Sequence, residues 1–179
     1  MNMPGASPHR IVIVGGGAGG LELATRLGDR LGRRGRAQIT LVDRSRTHLW
    51  KPLLHEVAAG SMDVDQHMLD YLAQARWHHF RFQLGAMRGL DRERRIVRIA
   101  PTHDEDGVLL IGEREIPYDT LVIATGSRTN DFGTPGAKEH AISLDTPVQA
   151  ERFHNRLINA CIRANAQAEP LRPEQLQVA

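Results

Sequence analysis

Hydrophobic positions along the chain follow two different periods. His9 to Val14 form a short apolar run that stops at glycines, which predicts a buried parallel strand followed by a tight turn. Beyond the turn the spacing becomes helical: Leu21, Ala24, Leu27 and Leu31 share one face, the face such a helix lays on a sheet. Gln38 to Val42 is again an unbroken run, a second strand, and it ends on Asp43. Pro52 is placed to start a short helix through Leu53, Leu54, Val57 and Ala58 that Gly60 ends, with Trp50 and Lys51 in the loop before it. Asp63 or Asp65 is placed to cap a helix running to about Arg76, with Met68, Leu69 and Leu72 facing inward. FRFQLGAM alternates with period two, placing Phe80, Phe82 and Leu84 on one face of a strand. RRIVRI and VLLIGEREI are two more strands, separated by the turn signal PTHDEDG, and read as a small antiparallel meander. Thr120 to Ala124 predicts another buried strand, closed by Thr125 and Gly126. After the irregular NDFGTPG, a capping box of Thr146, Pro147 and Gln149 opens a helix to about Asn165, striped by Phe153, Leu157, Ile158 and Cys161. AQAEPLRPEQ reads as a linker, and Leu176 to Ala179 resemble the start of a strand. Strands alternating with helical spacing place the chain in the α/β class, as a doubly wound, Rossmann-like sheet with a small antiparallel β-meander.

The glycines between the first strand and helix carry the most chemistry. Gly15, Gly17 and Gly20 fill the three places of GxGxxG: a sharp turn, close approach of backbone to a pyrophosphate, and tight packing of helix on strand. The helix N-terminus behind them offers unpaired amides to an anion. Asp43, at the end of the second strand, is placed to accept hydrogen bonds from an adenosine ribose. An acid there favours the free 2′-hydroxyl of FAD or NAD over a 2′-phosphate, although Arg44 and Arg46 follow it. With 17 glycines in the chain the motif is weak alone, and its strand, helix and terminal acid are what give it weight.

Composition narrows the field. At 179 residues and 41% hydrophobic content, one domain is the simplest count. The charge of +2 is small; the arginine groups Arg33, Arg34, Arg36 and Arg92, Arg94, Arg95, Arg98 read as solvated rims rather than a nucleic-acid surface, since aromatics are only 4% of the chain. Cys161 is the only cysteine, which excludes an internal disulfide or redox cysteine pair and suits a reducing, cytoplasmic compartment. His48, His55 and Glu56 lack metal-ligand spacing, so no metal is expected. No stretch approaches the roughly eighteen apolar residues of a membrane span, and residues 1 to 9 have no signal-peptide core.

Taken together, IVIVGGGAGGLELA, LVDR, HLWKPLLHEVAAGS, FQLGAM, YDTLVIATGS and NDFGTPG closely resemble bacterial type II NADH dehydrogenase, the single-subunit NADH:quinone oxidoreductase that pumps no protons. HLWKPLLHEVA and NDFGTPG are far more specific than the glycine motif. The resemblance implies a flavoprotein of the respiratory chain that passes electrons from NADH through FAD to a membrane quinone, as a peripheral protein on the cytoplasmic face of the inner membrane. It assigns FAD binding to Gly15, Gly16, Gly17, Ala18, Gly19 and Gly20, to Asp43 at the ribose, to Arg44 after it, and to Lys51 and Pro52 beside the isoalloxazine. Ala86 and Met87 are assigned near the adenine, with Thr125 and Gly126 along the cofactor. No side chain is assigned as catalytic; the flavin does the redox chemistry and Lys51 is expected to tune it. The related disulfide reductases carry a cysteine pair near this loop, and its absence excludes thiol chemistry. The resemblance also implies a chain more than twice this length, with residues 1–168 as the FAD-binding domain and 169–179 as linker and start of an NADH-binding domain. A returning segment normally pairs beside TLVIATG, so this chain alone is expected to dimerise, aggregate or bind FAD weakly, and not to complete electron transfer.

The residues by themselves leave two alternatives open. One is a nicotinamide-dependent dehydrogenase using the same glycine loop, which lacks an identifiable acid or base downstream. The other is a non-catalytic nucleotide-binding module.

Overall fold

The computed structural model describes residues 7–176 and divides into two units. One comprises the chain up to His48 together with Met68–Gly126; the other comprises Leu49–His67 and the chain from Ser127 onward.

The first unit begins with β1 (His9–Val14), the glycine turn and α1 (Ala18–Leu27), which a π-helical turn extends over Gly28–Gly32. β2 (Ala37–Asp43) returns parallel to β1, then β3 (Thr47–His48) pairs antiparallel with β4 (Leu69–Asp70). α3 (Tyr71–Trp77), β5 (Arg81–Leu84), β6 (Met87–Asp91) and β7 (Ile96–Ile99) follow, then the hairpin of β8 (Thr102–His103) and β9 (Leu109–Ile111), and finally β10 (Arg114–Pro117) and β11 (Thr120–Ile123). The parallel sheet has the order β11-β1-β2-β5, so β1, first in sequence, lies inside it.

Alternation along β1 separates two layers. Ile11 and Ile13 pack with Leu21 and Ala24 of α1 and with Tyr71 and Ala75 of α3. Val12 and Val14 pack on the other face with Val97 and Ile99 of the antiparallel sheet β10-β7-β6 and with Tyr118, which follows β10. One face of the parallel sheet is thus covered by helices and the other by the meander. Arg10 ties β1 to its chain-distant neighbour β11 at their start: its backbone and guanidinium donate to Asp119 at 2.8, 3.1 and 2.8 Å, and Asp119 N–H returns a bond to the Arg10 carbonyl.

Those bonds from Arg10 hold the Asp119 carboxyl well below its ordinary 3.8. A depressed carboxylate stabilises the fold above its unfolded value and loses that contribution as pH falls toward the folded one. Asp119→Asn is therefore expected to melt below the wild type at neutral pH, with the gap closing as pH drops below about 4. Thermal denaturation of both proteins across that range checks it; a gap that stays constant with pH rules the ion pair out as its cause.

Several sequence expectations need correction. The helix expected from Asp63 or Asp65 to Arg76 is interrupted: a 3-10 turn at Asp65–His67 and the short β4 precede α3, which Asp70 caps by accepting from Ala73 N–H at 2.9 Å. Tyr71 and Ala75, not Leu69 and Leu72, then face the core, because the extended residues of β4 reset the helical phase. FRFQLGAM is two strands in two sheets, broken at Gly85 where the chain leaves the parallel sheet for the meander. VLLIGEREI likewise divides into β9 and β10 in separate sheets. β11 is only partly buried, with Ile123 53% exposed, since among the described residues it pairs with β1 alone.

In the second unit Lys51 and Pro52 open a 3-10 turn (Lys51–Leu53) that leads into α2 (Leu54–Ala59) and ends at Gly60. Leu54, Val57 and Ala58 pack against Ala150 of α5 (Pro147–Ala166), with Phe153 and Leu144 beside them. A four-residue α4 (Ala137–His140), not foreseen, lies between. The Thr146 cap forms as expected, accepting from Gln149 N–H at 3.3 Å, but the Gln149 amide accepts from Asp145 N–H, one residue earlier than a capping box requires. Of the expected stripe of α5, Phe153 and Leu157 are half-buried, and Ile158 and Cys161 are exposed; Ala150 is the buried residue of the helix. No helix among the described residues is long and apolar enough to cross a membrane. The strand start expected at 176–179 lies, Leu176 apart, outside the described residues.

Candidate functional site

The carboxyl ends of β1, β2, β5 and β11 converge in the first unit, and most of the expected cofactor residues sit on them. Gly15 leaves β1 at φ +103°, donating to the Val42 carbonyl at 2.8 Å. A Cβ there would run into the Ala124 carbonyl and lie 2.9 Å from Thr125 Cα, so only glycine fits and β11 is brought against the loop. Gly20 touches the loop from the helix side: its Cβ would overlap the Gly15 carbonyl. These two glycines are explained by the protein itself.

Gly17 and Gly19 are not. Both are exposed, and a Cβ on either would meet nothing within 4 Å. Gly17 is the N-cap of α1, supplies no side-chain cap, and no acid occupies the first helical turn. The helix therefore presents uncapped amides and its positive dipole end to open space, which is the arrangement that accepts a phosphate.

Asp43 stands at one wall. Its Oδ2 accepts from Gly16 N–H at 2.6 Å and its Oδ1 from Ser45 N–H at 2.8 Å. A carboxylate has about four acceptor sites, so both oxygens keep capacity for a ligand hydroxyl. The Asp43 carbonyl accepts from Gly85 N–H at 2.7 Å, which brings Ala86 beside it. Ala86 is exposed, whereas Met87 packs partly into the cluster of Val97 and Ile99. The smallness of Gly85 is used by Ile99, whose Cγ2 would lie 2.5 Å from a Cβ at that position. Arg44 lines a cavity of about 560 Å³ with Arg46, Leu84, Thr102 and Asp104. The buried Thr102 hydroxyl in its wall has no hydrogen-bond partner among the described residues. Thr125 and Gly126 are exposed beyond β11.

Beneath the loop lies a contact that sequence reasoning missed. The Tyr71 hydroxyl donates to the Gly16 carbonyl at 2.6 Å, and a Cβ on Gly16 would strike the Tyr71 ring. The ring is 2% exposed and stacks on Phe82 at 5.0 Å between centroids, with His48 tilted against it at 6.2 Å. Burial, and next the charge of Asp43, push the Tyr71 phenol well above its ordinary pKa. Burial also lowers the pKa of His48, with Asp43 and the Gly16 backbone opposing. Only the i, i+4 pair Tyr71 and Ala75 signals this face in the sequence.

Lys51 and Pro52 belong to the second unit. The Lys51 ammonium donates to Asp145 Oδ1 at 2.6 Å and to the Ser127 carbonyl at 3.1 Å. Bonded in this way, and by Thr129 N–H, Asp145 is held below the usual carboxylate range. Asp145 lies 94 positions from Lys51, and no local pattern announces the pair.

Comparison with known proteins gives a consistent picture. The sequence pattern of the pyridine nucleotide-disulphide oxidoreductase family matches residues 9–165. A type II NADH:quinone oxidoreductase of Haemophilus influenzae is 50% identical over 153 residues, 86% of this chain and 34% of that protein. The corresponding Ndh of Mycobacterium tuberculosis is 29% identical over 97% of this chain and 35% of its own length. The chain thus spans about a third of the curated relatives it matches. Among solved structures, NDH2 of Plasmodium falciparum superposes with a TM-score of 0.73 at 17% identity, over 90% of this chain and 31% of that one. The sulfide:quinone oxidoreductase of Aquifex aeolicus superposes at 0.67 and 24% identity, over 88% of this chain and 33% of that one.

Proposed function

The chain belongs to the pyridine nucleotide-disulphide oxidoreductase family, and from that premise we propose that its glycine loop binds the pyrophosphate of FAD within a type II NADH:quinone oxidoreductase. The observation that carries this reading is the open space over Gly17 and Gly19, at a helix N-terminus with neither cap nor acid, beside a carboxylate at the end of the next strand. Protein packing leaves those glycines unexplained, and a dinucleotide pyrophosphate explains them. The 50% identity to the Haemophilus influenzae enzyme supports NADH and quinone as the substrates of the whole enzyme, and a quinone substrate is the ground for proposing that it works at a membrane surface, on the cytoplasmic face.

In this reading the amides of Gly17, Ala18 and Gly19 take the phosphates. Asp43 accepts from the adenosine ribose, with Arg44 and Ala86 flanking the base and Met87 backing it. Thr125 and Gly126 line the extended part of the cofactor where β11 meets the loop. Lys51 and Pro52 serve the isoalloxazine, where the Lys51 charge, moderated by Asp145, sets the electrostatics of the ring. Bound FAD would accept electrons from NADH and release them to the quinone. The chain's own task is to bind that cofactor, orient it and set its electrostatic surroundings.

Titrating the chain with FAD and following the visible flavin bands tests the reading. Band shifts that saturate with added FAD, and that excess ADP reverses, are the expected result. Saturable binding of NADH with no response to FAD would replace it with the nicotinamide-dependent alternative.

A further inference from the structure

Tyr71 lies outside the residues just assigned to the cofactor, 55 positions from the glycine it touches. We propose that Tyr71 is the positioning residue of the glycine loop: its hydroxyl fixes the Gly16–Gly17 peptide so that the Gly17 N–H is presented to the pyrophosphate. This rests on the dinucleotide reading of the loop.

The inference follows from the planarity of the peptide. In a trans peptide the carbonyl of one residue and the N–H of the next point in opposite directions, and the described chain has no cis bonds. The Gly16 carbonyl is directed inward to the buried Tyr71 hydroxyl, so the Gly17 N–H is directed away from it, toward the side on which Gly17 is exposed. The preceding peptide is held as well, through the Gly16 N–H on Asp43. A peptide between two glycines is the least restrained the chain can contain, with no Cβ on either side to oppose its rotation. Something outside the loop must therefore select its orientation, and the phenol is placed to do so.

Tyr71 is built for that task. Its ring is stacked on Phe82, its own N–H donates to the Arg46 carbonyl at 3.1 Å, and Asp70 caps its helix. The hydroxyl thus sits on a fixed frame rather than on a mobile side chain. Gly16 is itself accounted for, since any side chain there would displace the ring.

The test compares the wild type with Tyr71→Phe, which keeps the stacked ring and removes only the hydroxyl. Each is titrated by calorimetry with ADP, which has the adenosine and pyrophosphate of the cofactor, and with adenosine, which has no phosphate. Tyr71→Phe is expected to bind ADP roughly tenfold more weakly, the effect of one ordinary hydrogen bond expressed wholly in binding, with adenosine affinity unchanged. Equal weakening of both ligands makes Tyr71 a packing residue and overturns the assignment, as does unchanged ADP affinity in a variant that merely melts earlier. If the wild type binds neither ligand, the dinucleotide reading fails first. Should Tyr71→Phe not fold, amide spectra of the 15N-glycine-labelled wild type decide. ADP must shift the Gly17 signal, and adenosine, which reaches Asp43 but brings no phosphate, must leave it in place; a Gly17 signal that ADP does not move, or that adenosine moves equally, refutes the assignment.

Discussion

Gly20→Ala is expected to destabilise the chain by about 3 kcal/mol or more, the upper end of what overpacking costs, and to leave much of it unfolded at 37 °C. The added methyl would overlap the Gly15 carbonyl, and Ala124 Cβ lies 3.3 Å away on the other side. Neither neighbour can yield cheaply: Gly15 is held at φ +103° with its N–H on Val42, and Ala124 N–H is bonded to Val14 at 2.7 Å. The helix would have to lift off the sheet, exposing Leu21 and Ala24. Denaturant unfolding followed by far-ultraviolet circular dichroism measures the loss. Gly19→Ala, one residue away, provides the comparison. Its methyl meets nothing, and the higher helix propensity of alanine gains up to about 1 kcal/mol. Equal effects at the two positions would show that the Gly15 contact does not set the spacing of helix and strand.

The second large effect separates binding from folding. Gly17→Val is expected to change stability by no more than about 1 kcal/mol, since the position is an exposed helix N-cap with φ −59° and open space for a side chain. FAD affinity should nevertheless fall by at least about a hundredfold, or some 2.7 kcal/mol, because the valine would occupy the space in which the loop meets the pyrophosphate. Flavin titration and thermal melting on the same preparation provide both numbers. A variant that binds FAD as the wild type does would remove the pyrophosphate from the space over Gly17, and with it the proposed function. A variant that loses both binding and stability would mean that Gly17 is structural, like Gly20.

This contrast also marks how far the sequence could be read. The motif named Gly15, Gly17 and Gly20 alike; the turn and packing roles of Gly15 and Gly20 agree with what a Cβ would meet at each, while the open space at Gly17 is where the ligand is proposed. The strands β1 and β2 and the helix α1 were legible to within a residue or two, because long uninterrupted periods leave one structural solution. Residues 61–77 were not. Two extended residues, Leu69 and Asp70, shift the phase of the helix that follows, and their pairing with Thr47 and His48 depends on a strand 22 positions earlier. The hidden part of the site has the same cause. Tyr71 reaches Gly16, and Lys51 reaches Asp145, through packing that no local spacing encodes. Sequence position marks the groups proposed to touch a cofactor, and only the fold shows which groups hold those in place.

The central position of β1 has a consequence for how the chain is made. Ile11 pairs with Ile39 on one side and with Thr120 on the other. During synthesis the first partner emerges early, and the second about 80 residues after it, an interval of roughly 4–16 s at usual elongation rates. Through that interval the βαβ unit at the ribosome exit has Val12 and Ile13 on an unpaired margin. The nascent chain must hold that margin open for β11 against every other strand, its own meander included.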